Sequence, residues 1–129
     1  MQIMPRTARS LGIGDIRDPE SSIHAGTKYM SQLIERLDPT IPLEDRVRLA
    51  LASYNVGYGH VEDARRIAGQ MGWSADKWFE NVEKAMLLLE KPQHYSKARN
   101  GYCRCSSAVE YVFEIQTLYD AYAKNMPEK

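Results

Sequence analysis

The sequence predicts an all-α domain, and three observations carry that prediction. Apolar residues recur at helical spacing almost from end to end, no period-2 strand pattern competes, and most connections are short. Five or six helices in a single domain spanning residues 1–129 account for the pattern, with no linker, internal repeat or low-complexity tract.

A short helix from about Pro5 to Leu11 opens the chain, with Gly12 and Gly14 after it. Ile23, Gly26, Met30, Leu33, Ile34 and Leu37 then trace an i, i+3, i+4, i+7 stripe, with Ser21 and Ser22 as N-cap candidates. A further helix starts near Pro42, where proline suits the first turn. It aligns Leu43, Val47, Ala50, Leu51 and Tyr54 before Gly57 and Gly59 end it. The next runs from about His60, with Val61, Ala64, Ile67, Ala68 and Met71 on one face and Gly72 at its end. Another carries Trp78, Phe79, Val82, Ala85, Met86 and Leu89 and is closed by Pro92. The last begins at Ser107, where Ser107 and Glu110 have capping-box spacing, and stacks Val109, Val112, Ile115, Tyr119 and Tyr122. Residues 91–106 form the one long connection, aperiodic and carrying Tyr95, Tyr102 and several basic side chains. Loops of that length in small domains are usually functional or disordered.

The chain's 129 residues suffice to bury roughly two thirds of the surface that the unfolded form exposes, so a core of its own is expected. With 17 Lys+Arg against 17 Asp+Glu the formal charge is zero, which argues against a nucleic-acid partner bound through bulk charge. No apolar run approaches the ~20 residues of a membrane-spanning helix, so no membrane contact by the chain itself is expected. The N-terminus has no basic stretch followed by an apolar one, so no signal peptide is visible.

Cys103 and Cys105 stand one residue apart in GYCRCSS, an awkward span for a disulfide, so two loop thiols are the preferred reading. His24, His60 and His94 fall on separate elements without ligand-like spacing, so neither a metal nor a cofactor is expected. Nucleophile triads and phosphate-cradling glycine loops have no signature here. The distinctive feature is tyrosine: eight tyrosines stand against two phenylalanines and two tryptophans. A flat ring with a hydroxyl suits sugar binding, although tyrosines at the rim of a helical core are the commoner explanation.

Three segments narrow the reading. MQIMPRTARSLGI, DPESSIHAGTKYMSQL and LALASYNVGYGHVEDAR place Met1-Gln2, Met4-Pro5 and Ser53-Tyr54-Asn55-Val56-Gly57 in order. In this the chain resembles the catalytic domain of the soluble-lytic-transglycosylase-like family, goose-lysozyme relatives that cleave peptidoglycan. YSKARNGYCRCSSAVEYVFEI resembles the closing segment of the membrane-bound branch of that family, with a similar Tyr-Ser-Lys, Gly-Tyr-x-Arg and Tyr-Val order. The resemblance covers nearly the whole chain and implies a lysozyme-like helical fold.

It also implies a chemistry. In such enzymes one glutamic acid protonates the glycosidic oxygen between N-acetylmuramic acid and N-acetylglucosamine. Its carboxylate then helps the sugar's own C6 hydroxyl close a 1,6-anhydro ring, so no second protein carboxylate is required. By the resemblance, Tyr54 is the hydrogen-bond partner of that acid, and Met1, Gln2, Tyr54, Asn55 and Tyr102 are the substrate-binding set. The glutamate itself is expected on a helix upstream of Met1. Glu20 matches a helix start, Glu35, Glu44, Glu62 and Glu83 fall on solvent faces, and Glu110 reads as a capping partner.

This chain is therefore expected to be an N-terminally truncated transglycosylase domain, inactive alone, whose uncovered core face could pair two copies. Ser107 stands where related sequences often carry an acidic residue, and Cys103 and Cys105 replace small ones. The partner implied is the peptidoglycan glycan strand. The full-length protein is expected in the periplasm or at the inner face of the outer membrane. Two other readings stay open: a non-catalytic peptidoglycan-binding or scaffold module, and a helical interaction domain. The latter would offer Lys91, Lys97, Arg99 and Arg104 to a protein or anionic partner.

Overall fold

A computed structural model describes residues 19–125 of the chain. Every regular element among them is helical: α1 (Pro19–Arg36), α2 (Leu43–Val56), α3 (Tyr58–Gln70), α4 (Glu83–Leu88), α5 (Pro92–Tyr95) and α6 (Ser106–Lys124). The expected helix from Pro5 to Leu11 lies outside the described residues. The all-α expectation holds.

Helix α2 is the hub, packed against α1, α3 and α6, while α4 bridges α3 and α6. Its buried stripe is Leu49, Ala50, Ala52 and Ser53, and only Ala50 of these belongs to the stripe expected from spacing. Leu43 is exposed, and Val47 and Leu51 are half-buried. The shift has a simple cause, since a helix clasped by neighbours on several sides presents more than one face to them. Ser53 survives in this core because its hydroxyl donates back to the Leu49 carbonyl at 2.8 Å.

Around Leu49 gather Val61, Ala64 and Ala68 of α3, Trp78, Val82, Ala85, Met86 and Leu89, and Ala108 and Val112 of α6. Burying each large side chain of this set contributes roughly 1.5–3 kcal/mol. Met71, expected on the apolar face of α3, is 49% exposed because the helix ends at Gln70.

Several boundaries differ from expectation. Helix α1 already runs through Ser21 and Ser22, which are therefore not caps. Gly57, at φ 108°, ends α2 as expected, whereas Gly59 lies inside α3. A Cβ at Gly59 would sit 2.7 Å from the Asn100 side chain, so this glycine serves close approach and not termination. The helix expected over Trp78–Leu89 is kinked at its start. Phe79 is extended and Glu80 takes a positive φ of 64°, and regular α-helix resumes at Glu83. The kink lets Trp78 bury completely while its backbone N–H donates to Asp45 Oδ1 at 3.1 Å. Glu83, expected on a solvent face, is half-buried and accepts the Glu80 N–H at 3.3 Å. Glu62 is likewise half-buried, paired with Arg65 at 2.9 Å.

The 91–106 connection is structured. It contains α5 and a chain of tight turns. Cys103 and Cys105 are joined as a disulfide, which overturns the reading of two loop thiols. A sharp bend sets their Cα atoms 5.1 Å apart, inside the span that a disulfide accepts, and buries both sulfur-bearing side chains. The capping box at Ser107 and Glu110 is not formed. Helix α6 begins at Ser106, and its N-terminal N–H donates to Glu90 Oε2 at 2.7 Å. Hydrogen bonding from the Ser106 side chain and then from its backbone N–H holds the Glu90 carboxyl below its usual range. Tyr119 and Tyr122, expected in the core stack, lie in the far half of α6 at 66% and 68% exposure.

Candidate functional site

Tyr54 and Asn55 lie in the last turn of α2, just before the break at Gly57. Tyr54 is half-buried, and its ring packs on Tyr29 of α1 with centroids 5.5 Å apart. A Cβ on Gly26, one turn before Tyr29, would lie 3.5 Å from the Tyr54 hydroxyl, so any larger side chain there would cover that oxygen.

From the other side comes Tyr111 of α6, whose hydroxyl is buried without a hydrogen-bond partner. Burial raises the pKa of both phenols, Tyr29 adding to the effect at Tyr54 and Tyr54 at Tyr111. Both hydroxyls are therefore neutral donors at any physiological pH. No carboxylate among the described residues contributes to either shift. The Nε1 of Trp78 and the Nδ1 of His60 are also buried and unpartnered, but among these orphaned groups only Tyr111 is coupled to Tyr54.

Asn55 is exposed, and its Oδ1 accepts the Ser107 hydroxyl at 2.9 Å. Ser107 and Tyr111 are four residues apart on α6 and share a face, which is why one meets Asn55 and the other Tyr54. Consecutive residues of α2 thus meet one turn of α6. With its carbonyl oxygen engaged by Ser107, the Asn55 amide is left with its N–H donors to offer outward.

Of the residues expected from sequence, Tyr54 and Asn55 are brought together. Tyr102 is 57% exposed on the turn after α5, its ring edge-on against Tyr95 at 5.4 Å. Met1 and Gln2 lie outside the described residues. Sequence reasoning did not pick out Tyr29, Tyr111 or Ser107 as members of this cluster. The available signal was the four-residue spacing of Ser107 and Tyr111, two polar-tipped side chains on an otherwise apolar helix face. Among the described residues no group of His, Cys, Asp and Glu is arranged to hold a metal ion.

The model of one protein family, described as the transglycosylase SLT domain, matches residues 1–76. The chain belongs to that family. The match takes in α1, α2 and α3, and with them Tyr29, Tyr54 and Asn55. Proteins named membrane-bound lytic murein transglycosylase F extend the similarity to more than nine-tenths of the chain. The one from Shewanella loihica is 46% identical over 120 residues, which is 93% of this chain and 25% of the relative. The one from Pseudoalteromonas translucida is 48% identical over 94% of the chain and 26% of its own length, and that from Cellvibrio japonicus 44% over 92% and 24%. The chain spans about a quarter of the length of these curated relatives. The SLT family likeness expected from Ser53-Tyr54-Asn55-Val56-Gly57 and from the Tyr-Ser-Lys to Tyr-Val segment is thereby shown.

Proposed function

We propose that this chain forms the saccharide-holding part of a peptidoglycan lytic transglycosylase site. The reaction would cleave the β-1,4 bond between N-acetylmuramic acid and N-acetylglucosamine with closure of a 1,6-anhydro ring. The observation that carries the reading is the pair of neutral phenol hydroxyls, Tyr54 and Tyr111, beside an Asn55 amide oriented by Ser107.

Each part has a use in that chemistry. A carboxylic acid lodged between Tyr54 and Tyr111 meets aromatic surface, which favours its protonated form, and hydroxyl donors, which fix its direction. It gives its proton to the glycosidic oxygen as the bond to the muramyl C1 breaks. The resulting carboxylate takes the proton of the C6 hydroxyl as O6 attacks C1. Nucleophile and leaving group both belong to the glycan, so the site needs one acid and the exclusion of water. By family likeness the acid is a glutamate upstream of Met1. The outward N–H donors of Asn55 suit the carbonyl oxygen of an N-acetyl group, and by family likeness Gln2 and Met1 line the same subsite. Tyr102 offers an exposed ring face further along.

The relatives' printed names place them at a membrane and on murein, and no helix among the described residues is long and apolar enough to cross a membrane. The reading puts the full-length protein in the periplasm, at the inner face of the outer membrane. Two copies would pair through an exposed core face, which light scattering at rising concentration reads directly.

Sedimentation with purified cell-wall sacculi tests the central assignment. The chain should pellet with sacculi, and Asn55→Ala should weaken that binding about tenfold, the equivalent of one hydrogen bond of ~1.4 kcal/mol. Equal pelleting of both proteins, or none by either, would remove the saccharide assignment. Mass spectrometry of the supernatant for anhydromuropeptides separates an enzyme from a module that only binds.

A further inference from the structure

A cavity of about 240 Å³ opens between α3 and α5, away from the tyrosine cluster. Arg66, Gln70, Gln93, His94 and Lys97 line it, with Asp63 at its base and Ile67 and Ala98 as apolar wall. Asp63 is 1% exposed, and both its oxygens are taken. Oδ1 accepts Arg66 at 3.1 Å, and Oδ2 accepts the Asn100 N–H at 2.9 Å and the Asn100 amide at 3.1 Å. Its charge is therefore neutralised inside the fold, and it fixes Arg66 at the rim. What faces solvent is a guanidinium, an ammonium, an imidazole and two amides, a donor-rich surface beside a patch of aliphatic wall. Lys97 comes from the 91–106 connection and places its ammonium on the same lining as Arg66.

We propose that this cavity binds a peptide carboxylate, specifically the free carboxylate of an alanine-ended peptide stem carried by the peptidoglycan strand. The inference rests on the glycan reading for the identity of the ligand, not for its chemistry. The volume lies below the ~300 Å³ at which pockets for whole small ligands begin, so it suits the end of a larger molecule. A guanidinium with flanking amides matches the planar geometry of a carboxylate, and the Ile67 and Ala98 wall suits a methyl side chain. The cavity is also tied to the saccharide side. The Asn100 amide that binds Asp63 also donates to the Gly59 carbonyl at 2.9 Å, two residues beyond the break that follows Asn55 and Val56. A stem peptide hangs from the muramyl ring of the same strand, so both ligands would belong to one polymer.

The test is titration of the chain with the pentapeptide L-alanyl-γ-D-glutamyl-L-lysyl-D-alanyl-D-alanine, followed by NMR at the side-chain amides of Gln70 and Gln93. The free acid should shift both amides saturably, and the C-terminally amidated peptide should bind at least about tenfold more weakly. Replacing Lys97→Gln together with His94→Gln should cause the same loss, while Lys97→Arg retains binding. Arg66 is left in place because it pairs with Asp63. Absence of saturable shifts, or equal binding of acid and amide, would overturn the proposal, as would displacement of the peptide by equimolar inorganic phosphate. The pentapeptide contains no sugar, so its outcome is independent of Asn55. Peptide binding without sacculus binding would sink the saccharide reading alone, and sacculus binding without peptide binding would sink this one alone.

Discussion

Asp63 and Tyr111 are buried polar groups on helices of one small core, yet their surroundings differ in kind. Every oxygen of Asp63 has a partner, supplied by Arg66 and by the backbone and side chain of Asn100. The Tyr111 hydroxyl has none, and the titratable group that acts on it, Tyr54, is another hydroxyl with a raised pKa. A buried polar group without a partner costs about 1–3 kcal/mol. The Asp63 carboxylate is finished as structure, and the Tyr54 side is left ready for a polar atom from elsewhere. The contrast predicts that substitutions on the first side lower stability, whereas on the second they trade stability against binding.

The largest effect should follow Asp63→Ala. It strips the ties that hold the Asn100 turn against α3 and leaves Arg66 without its partner, at a cost of about 3 kcal/mol. For a chain of this size that lowers Tm by roughly 10 °C, readable by circular dichroism. A fall of only a degree or two would mean that Asp63 is no more a structural tie than Tyr111.

Removing the disulfide, by reduction or by Cys103→Ser with Cys105→Ser, should cost less. It closes a loop around one residue, so the chain-entropy argument allows only about 1.5 kcal/mol. A urea midpoint measures this, and a loss several times larger would show that the buried sulfurs act as core packing more than as a cross-link.

Smaller again is the cap on α6. The Glu90 carboxyl is held below its ordinary range by its bonds from Ser106, so its contribution is fully present above the unfolded glutamate value and is lost as pH falls through the lowered one. Glu90→Gln should cost about 1 kcal/mol at neutral pH and progressively less in acid, seen as two stability curves that converge. Parallel curves would refute the cap.

How far sequence reached follows the same division. Helical spacing located α1, α2, α3 and α6, because burial of one stripe is a local, periodic demand. It misplaced the stripe of α2 and the start of α4, where long-range ties decide: Asp45 anchors the backbone of Trp78 from another helix. It read the Ser107 hydroxyl as a local cap, since nothing local reveals that Asn55 stands opposite. The Cys103–Cys105 pairing escaped it because spacing alone does not reveal that the two Cα atoms come within 5.1 Å. Tyr54 and Asn55 were legible through family likeness. Tyr111 becomes significant only when α6 is laid against α2.

The smallest change in stability should come from Tyr111→Phe, and it discriminates most sharply between the two sides. Loss of the hydroxyl removes an unpartnered buried oxygen while keeping the ring, so the variant should be no less stable than the wild type and up to about 1 kcal/mol more so. Thermal unfolding checks the sign. If Tyr111 instead has a structural partner that stabilises the fold, the variant melts lower and the contrast with Asp63 dissolves. If the proposed reaction holds, the same substitution in a chain that carries the acid should slow release of anhydromuropeptides roughly 10–100-fold, the scale of one lost donor to a reacting group, with glycan affinity little changed. A protein that is more stable without this hydroxyl yet turns over more slowly would mark Tyr111 as a group retained for the reaction and not for the fold.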